Sequence, residues 1–223
     1  MRCRVCDSVA TLCAQSRDVF FHRCQACGFL SGKPARWIEP DQYYESYPYG
    51  PAPPAPEARY IEWLSRQKLP LGRAACWKSV QEQGGFVRVA RARGWRVDAT
   101  EIGCKSGVEA LLGTGATVFA GDVLAANCPD KVFDMVVSFE VLEHLSAPLR
   151  YLREFCHASW RSASSDNTKL QWAVASVSWR PVARHRPEHL GYFTPATQSH
   201  ALREADYPGV TGLGDSLWAW AYQ

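Results

Sequence analysis

Two Cys-x2-Cys pairs near the start of the chain constrain its folding more than any other feature of the sequence. Cys3 and Cys6 form the first pair, and Cys24 and Cys27 form the second after seventeen intervening residues. Two such pairs can supply four thiolates to one tetrahedral zinc ion. Because sulfur fills all four positions, we expect this zinc to be structural rather than catalytic. The alternatives are four free thiols or a thioredoxin-like redox pair.

The other cysteines and the composition bound the class of protein. Nine cysteines is an odd number, and 223 residues are too many for a disulfide-stapled mini-domain, so reduced thiols are favoured. No run of about 18 uncharged apolar residues and no secretory leader is found, which predicts a soluble cytoplasmic protein. The 25 basic and 22 acidic side chains nearly cancel, so neither nucleic acid nor a membrane is an expected partner. The cysteines without paired spacing are Cys13, Cys76, Cys104, Cys128 and Cys156.

A proline-rich segment separates the cysteine pairs from the rest of the chain. Five prolines lie between residues 48 and 56. Proline fixes φ and lacks a backbone donor, so neither a helix interior nor a central strand can run through this segment. We therefore predict a zinc-binding module over residues 1–47, a linker over 48–60 and the main domain over 61–223.

Helical and strand-like patterns alternate after the linker. The run at 132–139 is almost continuously apolar, as in a strand buried on both faces. Thr194 and Pro195 are a plausible cap and first residue of a helix. The alternation predicts βαβ units in a parallel, Rossmann-like α/β sheet. Helices are predicted at 57–68, 85–93, 147–155 and from Thr194-Pro195, and extended segments at 95–102, 132–139 and 216–222.

A candidate cofactor pattern lies in the first βαβ unit. A nucleotide-type cofactor on such a sheet needs a glycine turn after the first strand and an acidic residue after the second. Gly84-Gly85 and Glu101 meet both requirements. An NAD-dependent oxidoreductase would share this pattern, so the pattern alone leaves the chemistry open.

The segments that follow, taken in order, resemble the class I S-adenosylmethionine-dependent methyltransferases. The C-terminal segments 188–197 and 214–218 are similar to a branch of that family that carries an N-terminal zinc-binding segment and includes enzymes of sugar and natural-product pathways. A small-molecule methyl acceptor, such as a nucleotide-linked sugar, is the substrate class that this implies. The matching segments are Gly85-Phe86, Arg93-Gly94-Trp95, Glu101-Ile102, Gly121-Asp122, 133–137 and 141–145, with Pro148.

The resemblance also implies a role for each matching residue. Glu101 would accept hydrogen bonds from the ribose hydroxyls of S-adenosylmethionine, and Asp122 would approach its adenine amino group. His144 would be the general base on the substrate side, next to Glu143, with His189 and Tyr192 as weaker candidates for the acceptor pocket. The implied cofactor-binding residues are Gly84, Gly85, Glu101, Asp122, Phe139 and Glu140.

Two segments depart from the family pattern. Residues 71–83 should hold a buried strand and a glycine-rich turn, yet Gln81, Glu82 and Gln83 precede the two glycines. Residues 156–178 lack the glycine turn expected before the fifth strand. A local reading-frame disturbance in the gene would produce both departures, and so would a degenerate enzyme that kept the fold as a binding scaffold for a nucleic acid or protein partner. Singly, Glu101 could be a strand-end surface charge, Asp122 a turn cap and His144 a helix-start residue.

Overall fold

The structure is a computed structural model that forms two compact units. The first comprises Met1–Ile38, Ser138–His157 and Ala163–Gln223, and the second comprises Glu39–Val137 and Ala158–Ser162. Residues 36–56 are not described, and residues 57–60 of the predicted linker belong to a helix, so the division at 47 and 60 stays a prediction. The structure describes residues 1–16, 18–35, 57–66, 73–78, 84–101, 105–126, 133, 135–139, 141–159, 171–175, 189–207, 209–211 and 218–222.

An antiparallel sheet organises the N-terminal part of the first unit. Its strands are β1 (Ala10–Ser16), β2 (Val19–Cys24), β3 (Leu30–Pro34) and β9 (Gly191–Tyr192), in the order β1-β2-β3-β9. Side chains alternate between the faces of a strand. Val19 and Phe21 therefore share the buried face of β2, where they pack with Tyr192.

The rest of the first unit contains α4 (Pro148–Ser159), α5 (Pro195–Glu204), β8 (Gln171–Ala175), β10 (Gly209–Thr211) and β11 (Trp218–Tyr222). Their strands, together with the end of β7 (Met135–Phe139), run in the order β10-β11-β8-β7. β11 is antiparallel to both β8 and β10. The expectation of a parallel sheet is wrong for these strands. Only six residues separate β10 from β11, which is too few for the long crossover that a parallel pair needs.

The second unit is built of βαβ repeats. Its strands are β4 (Arg73–Lys78), β5 (Arg96–Glu101), β6 (Thr117–Ala120) and the start of β7, in the order β7-β4-β5-β6. β4 and β6 both run parallel to β5, as predicted. Its helices are α1 (Glu57–Arg66), α2 (Gly85–Ala92) and α3 (Lys105–Leu112).

Hydrophobic residues at helical spacing hold α1 against α2. Tyr60 and Leu64 are buried on one face of α1, and the Tyr60 ring meets the buried Phe86 ring edge to face at 5.7 Å. Arg88 of α2 donates to Glu57 of α1 at 2.8 Å. Both α1 and α2 begin at the residues predicted from sequence.

The other predicted elements are confirmed within a few residues. The strand predicted at 95–102 is β5, the apolar run ends in β7, and the last strand is β11. The helix predicted at 147–155 is α4, which extends to Ser159. The predictions at 67–68, 102, 132, 134 and 216–217 lie outside the described residues. No helix in the described parts of the chain is long and apolar enough to cross a membrane.

Candidate functional site

The four cysteines singled out by their spacing come together in the first unit. The Sγ atoms of Cys3, Cys6, Cys24 and Cys27 all lie within 4.8 Å of one another. The Sγ atoms of Cys3 and Cys27 are 3.7 Å apart, and those of Cys6 and Cys24 are 3.4 Å apart. Sulfurs about 2.3 Å from a tetrahedral zinc ion would be separated by about 3.8 Å. These two separations are close to that value, and the four sulfurs together could hold a metal ion.

The two Cys-x2-Cys turns have the same backbone geometry. Asp7 and Gly28 directly follow the second cysteine of each pair, and both have left-handed φ, 55° and 76°. Each donates its N–H to the carbonyl of the first cysteine of its pair at 3.1 Å. Backbone N–H groups also point at sulfur, since Val5 and Cys27 donate to Cys3 Sγ and Cys24 Sγ at 3.4 Å. This pseudo-symmetric pair of turns aims four sulfurs at one point.

The electrostatics of the cluster differ from thiol to thiol. Burial raises the pKa of the Cys27 thiol, and its neighbouring thiols raise it further. Burial opposes ionisation of Cys24 too, but N–H groups of Cys27 and Ala26 and the adjacent thiols outweigh it and lower the Cys24 pKa to about 7. Hydrogen bonds to sulfur thus favour a thiolate at Cys24, and a divalent cation would favour thiolates at the other three positions.

Cys13 lies apart from this cluster. Its side chain is exposed, and its Sγ contacts the carbonyl oxygen of Phe21 at 3.4 Å. That Cys13 is an ordinary thiol stays a prediction. The side chains of the remaining four cysteines lie outside the described part of the structure.

The predicted cofactor residues of the second unit lie at the start of α2, at the end of β5 and in the turn after β6. Gly84 has φ 77° and begins α2, where its carbonyl accepts the N–H of Arg88 at 2.9 Å. Glu101 is the last residue of β5 and only 3% exposed, so the expectation of a merely surface charge is wrong. The N–H of Gly121 donates to the Glu101 carbonyl at 2.8 Å. A buried carboxylate at a strand end is where α/β sheets bind nucleotide ribose.

Asp122 has a local structural role. Its carboxylate accepts the N–H of Leu124 at 2.9 Å and caps the short 3-10 helix Val123–Ala125. Asp122 therefore caps a turn, as the simpler expectation had it, and its predicted approach to the adenine amino group stays a prediction. Phe139 ends β7, while Glu140 and the departing segment 79–83 lie outside the described residues.

The predicted catalytic residues of the first unit form a second cluster. Glu143 and His144 lie in the 3-10 helix Leu142–His144, and ligand atoms of Glu143, His144 and His189 lie within 4.8 Å of one another. The His144 and His189 rings are perpendicular, with centroids 4.8 Å apart. Glu143 is fully buried, and His189 is 8% exposed. The Leu190 N–H donates to the Glu143 carbonyl at 2.6 Å, which joins the two segments.

Sequence reasoning ranked His189 as a weaker candidate and overlooked Gly107. His189 is distant from His144 in sequence, and no local spacing signals that they meet. Gly107 lies inside α3, where glycine costs helix stability relative to alanine. A glycine inside a helix, shortly after Glu101 in the sequence, was the available signal that the Glu101 side chain packs closely against that helix.

Comparison with known families supports a methyltransferase. Residues 83–158 match the family model described as a methyltransferase domain. That segment includes Glu101, Asp122, Glu143 and His144. A comparison with curated proteins gives no match.

Solved structures with a similar fold include methyltransferases and a cyclase. Haemonchus contortus phosphoethanolamine N-methyltransferase 2 in complex with S-adenosyl-L-methionine matches with a TM-score of 0.61 and 11% identity, over 82% of this chain and 47% of that one. A methyltransferase from Archaeoglobus fulgidus matches at 0.55 and 17%, over 70% and 69% of the two chains. The [4+2]-cyclase SpnF matches at 0.52 and 19%, over 67% and 56%.

The chain therefore spans less than half of the length of the first of these enzymes. At such low identities the matches speak for the fold alone. They agree with the family match over residues 83–158 and with the βαβ order of the strands in the second unit. Residues 83–158 therefore match a methyltransferase-domain model, and the chain has a Rossmann-like α/β fold similar to that of solved S-adenosylmethionine-dependent methyltransferases.

Proposed function

We propose that this protein binds S-adenosylmethionine and transfers its methyl group to a small molecule. The observation that carries the proposal is the buried Glu101 carboxylate at the end of β5, inside the segment that matches a methyltransferase domain. A carboxylate at this position can accept hydrogen bonds from both ribose hydroxyls. Gly84 and Gly85 lie in the same unit at the start of α2, where a close approach of the cofactor needs no side chain.

The chemistry requires little covalent help from the protein. The sulfonium of S-adenosylmethionine is already activated, so the protein must align acceptor, methyl group and sulfur in a dry site. One structure of similar fold was solved with S-adenosyl-L-methionine bound. This supports the same cofactor here.

The histidine cluster of the first unit is proposed to serve the acceptor. An acceptor hydroxyl, amine or acidic carbon must lose a proton as it is methylated, and an imidazole accepts protons near neutral pH. His144 is the proposed base, with His189 at the acceptor and the buried Glu143 stabilising positive charge on the imidazoles. The resemblance of the C-terminal segments favours a nucleotide-linked sugar or a natural-product intermediate as acceptor.

The four cysteines are proposed to hold a structural zinc ion. Their sulfur separations and N–H donors fit tetrahedral thiolate coordination. With all four positions filled by sulfur, the ion has no open position for a substrate. Its contribution is to folding of the N-terminal strands.

Calorimetric titration of S-adenosylmethionine and S-adenosylhomocysteine into the zinc-loaded protein tests the cofactor proposal. We expect both to bind. NADH, the ligand that an oxidoreductase would bind, is titrated for comparison and is expected not to bind. Binding of NADH alone would contradict the proposal and favour an oxidoreductase. Once binding is shown, transfer of a labelled methyl group to nucleotide-linked sugars tests the acceptor class.

A degenerate binding scaffold is the second candidate. It is favoured by Gln81, Glu82 and Gln83, which precede Gly84 where the family has a glycine-rich turn. Side chains at that turn oppose close approach of the methionine part of the cofactor. Folded, zinc-loaded protein that binds neither S-adenosylmethionine nor S-adenosylhomocysteine would establish this candidate instead.

A further inference from the structure

The segment that carries His189 is joined by backbone hydrogen bonds to the two cysteine turns and strands β1 to β3, which we call the cysteine module. β3 pairs antiparallel with β9, with Leu30 opposite Tyr192 and Ser31 opposite Gly191. The Gly32 N–H donates to the Leu190 carbonyl at 3.0 Å. The strand next to the cysteine turns therefore sets the backbone on both sides of Leu190.

This pairing depends on the absence of a side chain at Gly32. A Cβ built there would lie 2.9 Å from the His189 carbonyl oxygen and 3.4 Å from the Tyr192 ring. The first distance is shorter than real Cβ contacts, and its partner is backbone, so β3 or the His189 segment would have to move. Among the described glycines, Gly32 is the one at which an added Cβ would meet His189.

A second contact connects the same segment to the cysteine turns. Phe29 is fully buried, and its carbonyl accepts the N–H of Cys24 at 2.9 Å. Its ring packs on Phe193 at 4.8 Å, and a Cβ on Gly191 would lie 2.8 Å from its Cζ atom. A shift of the second cysteine turn therefore reaches both sides of β9 through the Phe29 ring.

We propose that Gly32 is a positioning residue for His189, through which the cysteine module sets the place of the His189 imidazole beside His144. The perpendicular rings at 4.8 Å and the Leu190-to-Glu143 hydrogen bond show what the placement controls. A shift of a few tenths of an ångström at His189 changes the surroundings of His144, the proposed base, and proton transfer depends on hydrogen-bond geometry. The inference rests on the proposed function in one respect: the role of His144 and His189 at the methyl acceptor is taken from it.

The test compares Gly32→Ala with Lys33→Ala, a substitution at the next residue of β3, whose side chain is exposed. Imidazole proton–nitrogen NMR spectra report the surroundings of His189 and His144, with signals assigned from His189→Gln and His144→Gln. We expect Gly32→Ala to move the His189 signals and Lys33→Ala to leave them in place. Unchanged His189 signals in Gly32→Ala would overturn the proposal.

Two further measurements separate positioning from loss of structure. The tetrahedral thiolate absorption of the Co2+-loaded protein shows whether the cysteine cluster is intact in each variant. S-adenosylhomocysteine affinity should stay within about twofold, since Glu101, the proposed ribose ligand, belongs to the other compact unit, as do Gly84, Gly85 and Asp122. Wild-type protein that fails to bind S-adenosylhomocysteine contradicts the proposed function, whereas the His189 signals still decide this inference.

If Gly32→Ala loses the cobalt spectrum, the proposal is tested instead by comparing the imidazole NMR spectra of the wild-type protein with and without metal. Removal of the metal by a chelator should then move the His189 signals as well, because Phe29 follows the second cysteine turn. His189 signals that stay in place on metal removal would overturn the proposal. With an acceptor in hand, Gly32→Ala should lower kcat while leaving the KM for S-adenosylmethionine unchanged.

Discussion

The carboxylate of Glu101 lies against the backbone of Gly107. A Cβ at Gly107 would be 3.2 Å from Glu101 Cγ and 3.4 Å from its Oε2 atom. The carboxylate thus occupies space that a side chain on α3 would take. Glu101 is the proposed ribose ligand. Gly107, which is not itself a proposed cofactor contact, therefore helps to place the Glu101 carboxylate.

Gly107→Ala is therefore expected to weaken S-adenosylhomocysteine binding without destabilising the protein. Pushing Glu101 off its rotamer costs about 0.5–1.5 kcal/mol, equivalent to roughly a two- to tenfold loss of affinity. Alanine inside a helix is meanwhile more stable than glycine by about 0.5–1 kcal/mol. Calorimetric titration and thermal unfolding measure the two effects separately.

Gly113→Ala is the matched control for this prediction. Its Cβ would meet only backbone oxygens at 3.5 Å, which is ordinary contact. We expect its affinity for S-adenosylhomocysteine to equal that of the wild type. Equal affinities for Gly107→Ala and Gly113→Ala would show that Gly107 has no influence on the ribose carboxylate.

Glu101→Gln tests the carboxylate itself. The amide keeps the shape of the side chain but loses the charge, and hydrogen bonds to charged groups contribute about 1.5–3 kcal/mol. We expect S-adenosylmethionine affinity to fall roughly tenfold to a hundredfold, as measured by calorimetry. Glu109→Gln, on the exposed face of α3, should leave it unchanged. A Glu101→Gln protein that binds as well as wild type would remove Glu101 from the site.

The helix that follows the His189 segment begins with a capping box, which makes its stability testable. Thr194 Oγ1 accepts the N–H of Thr197 at 3.1 Å, and Thr197 Oγ1 accepts the N–H of Thr194 at 2.8 Å. Thr194→Ala should lower the free energy of unfolding by about 1 kcal/mol, while Thr194→Ser keeps the acceptor and most of the stability. Denaturant titration of both variants measures the difference, and equal loss in both would mean that the side-chain cap does not stabilise α5.

Local signals in the sequence predicted the elements that local physics determines. Thr194-Pro195 begins α5 because a hydroxyl cap and a proline suit the first turn. The spacing of Cys3, Cys6, Cys24 and Cys27 predicted a cluster because each Cys-x2-Cys turn brings its two sulfurs together. β5 could be predicted up to Glu101 from its apolar pattern and the turn before it.

The rest depends on contacts between distant parts of the chain. The approach of His189 to His144 follows from the pairing of β3 with β9, a strand of only two residues with no periodicity of its own. The antiparallel β11 carries no local mark of its direction. For the same reason Gly32 could not be recognised as the point where the cysteine module meets His189.

Metal loading provides the most direct test of the first unit. Cys24→Ser removes one of four clustered sulfurs, whereas Cys13→Ser removes an exposed sulfur outside the cluster. We expect wild type and Cys13→Ser to retain about one zinc ion per chain after gel filtration, and Cys24→Ser to lose it, by atomic emission. Because binding free energy in such a module is largely folding free energy, proteases should cleave Cys24→Ser within its N-terminal strands and leave Cys13→Ser intact. Zinc retained by Cys24→Ser, or lost equally from both variants, would contradict a site made of these four thiolates.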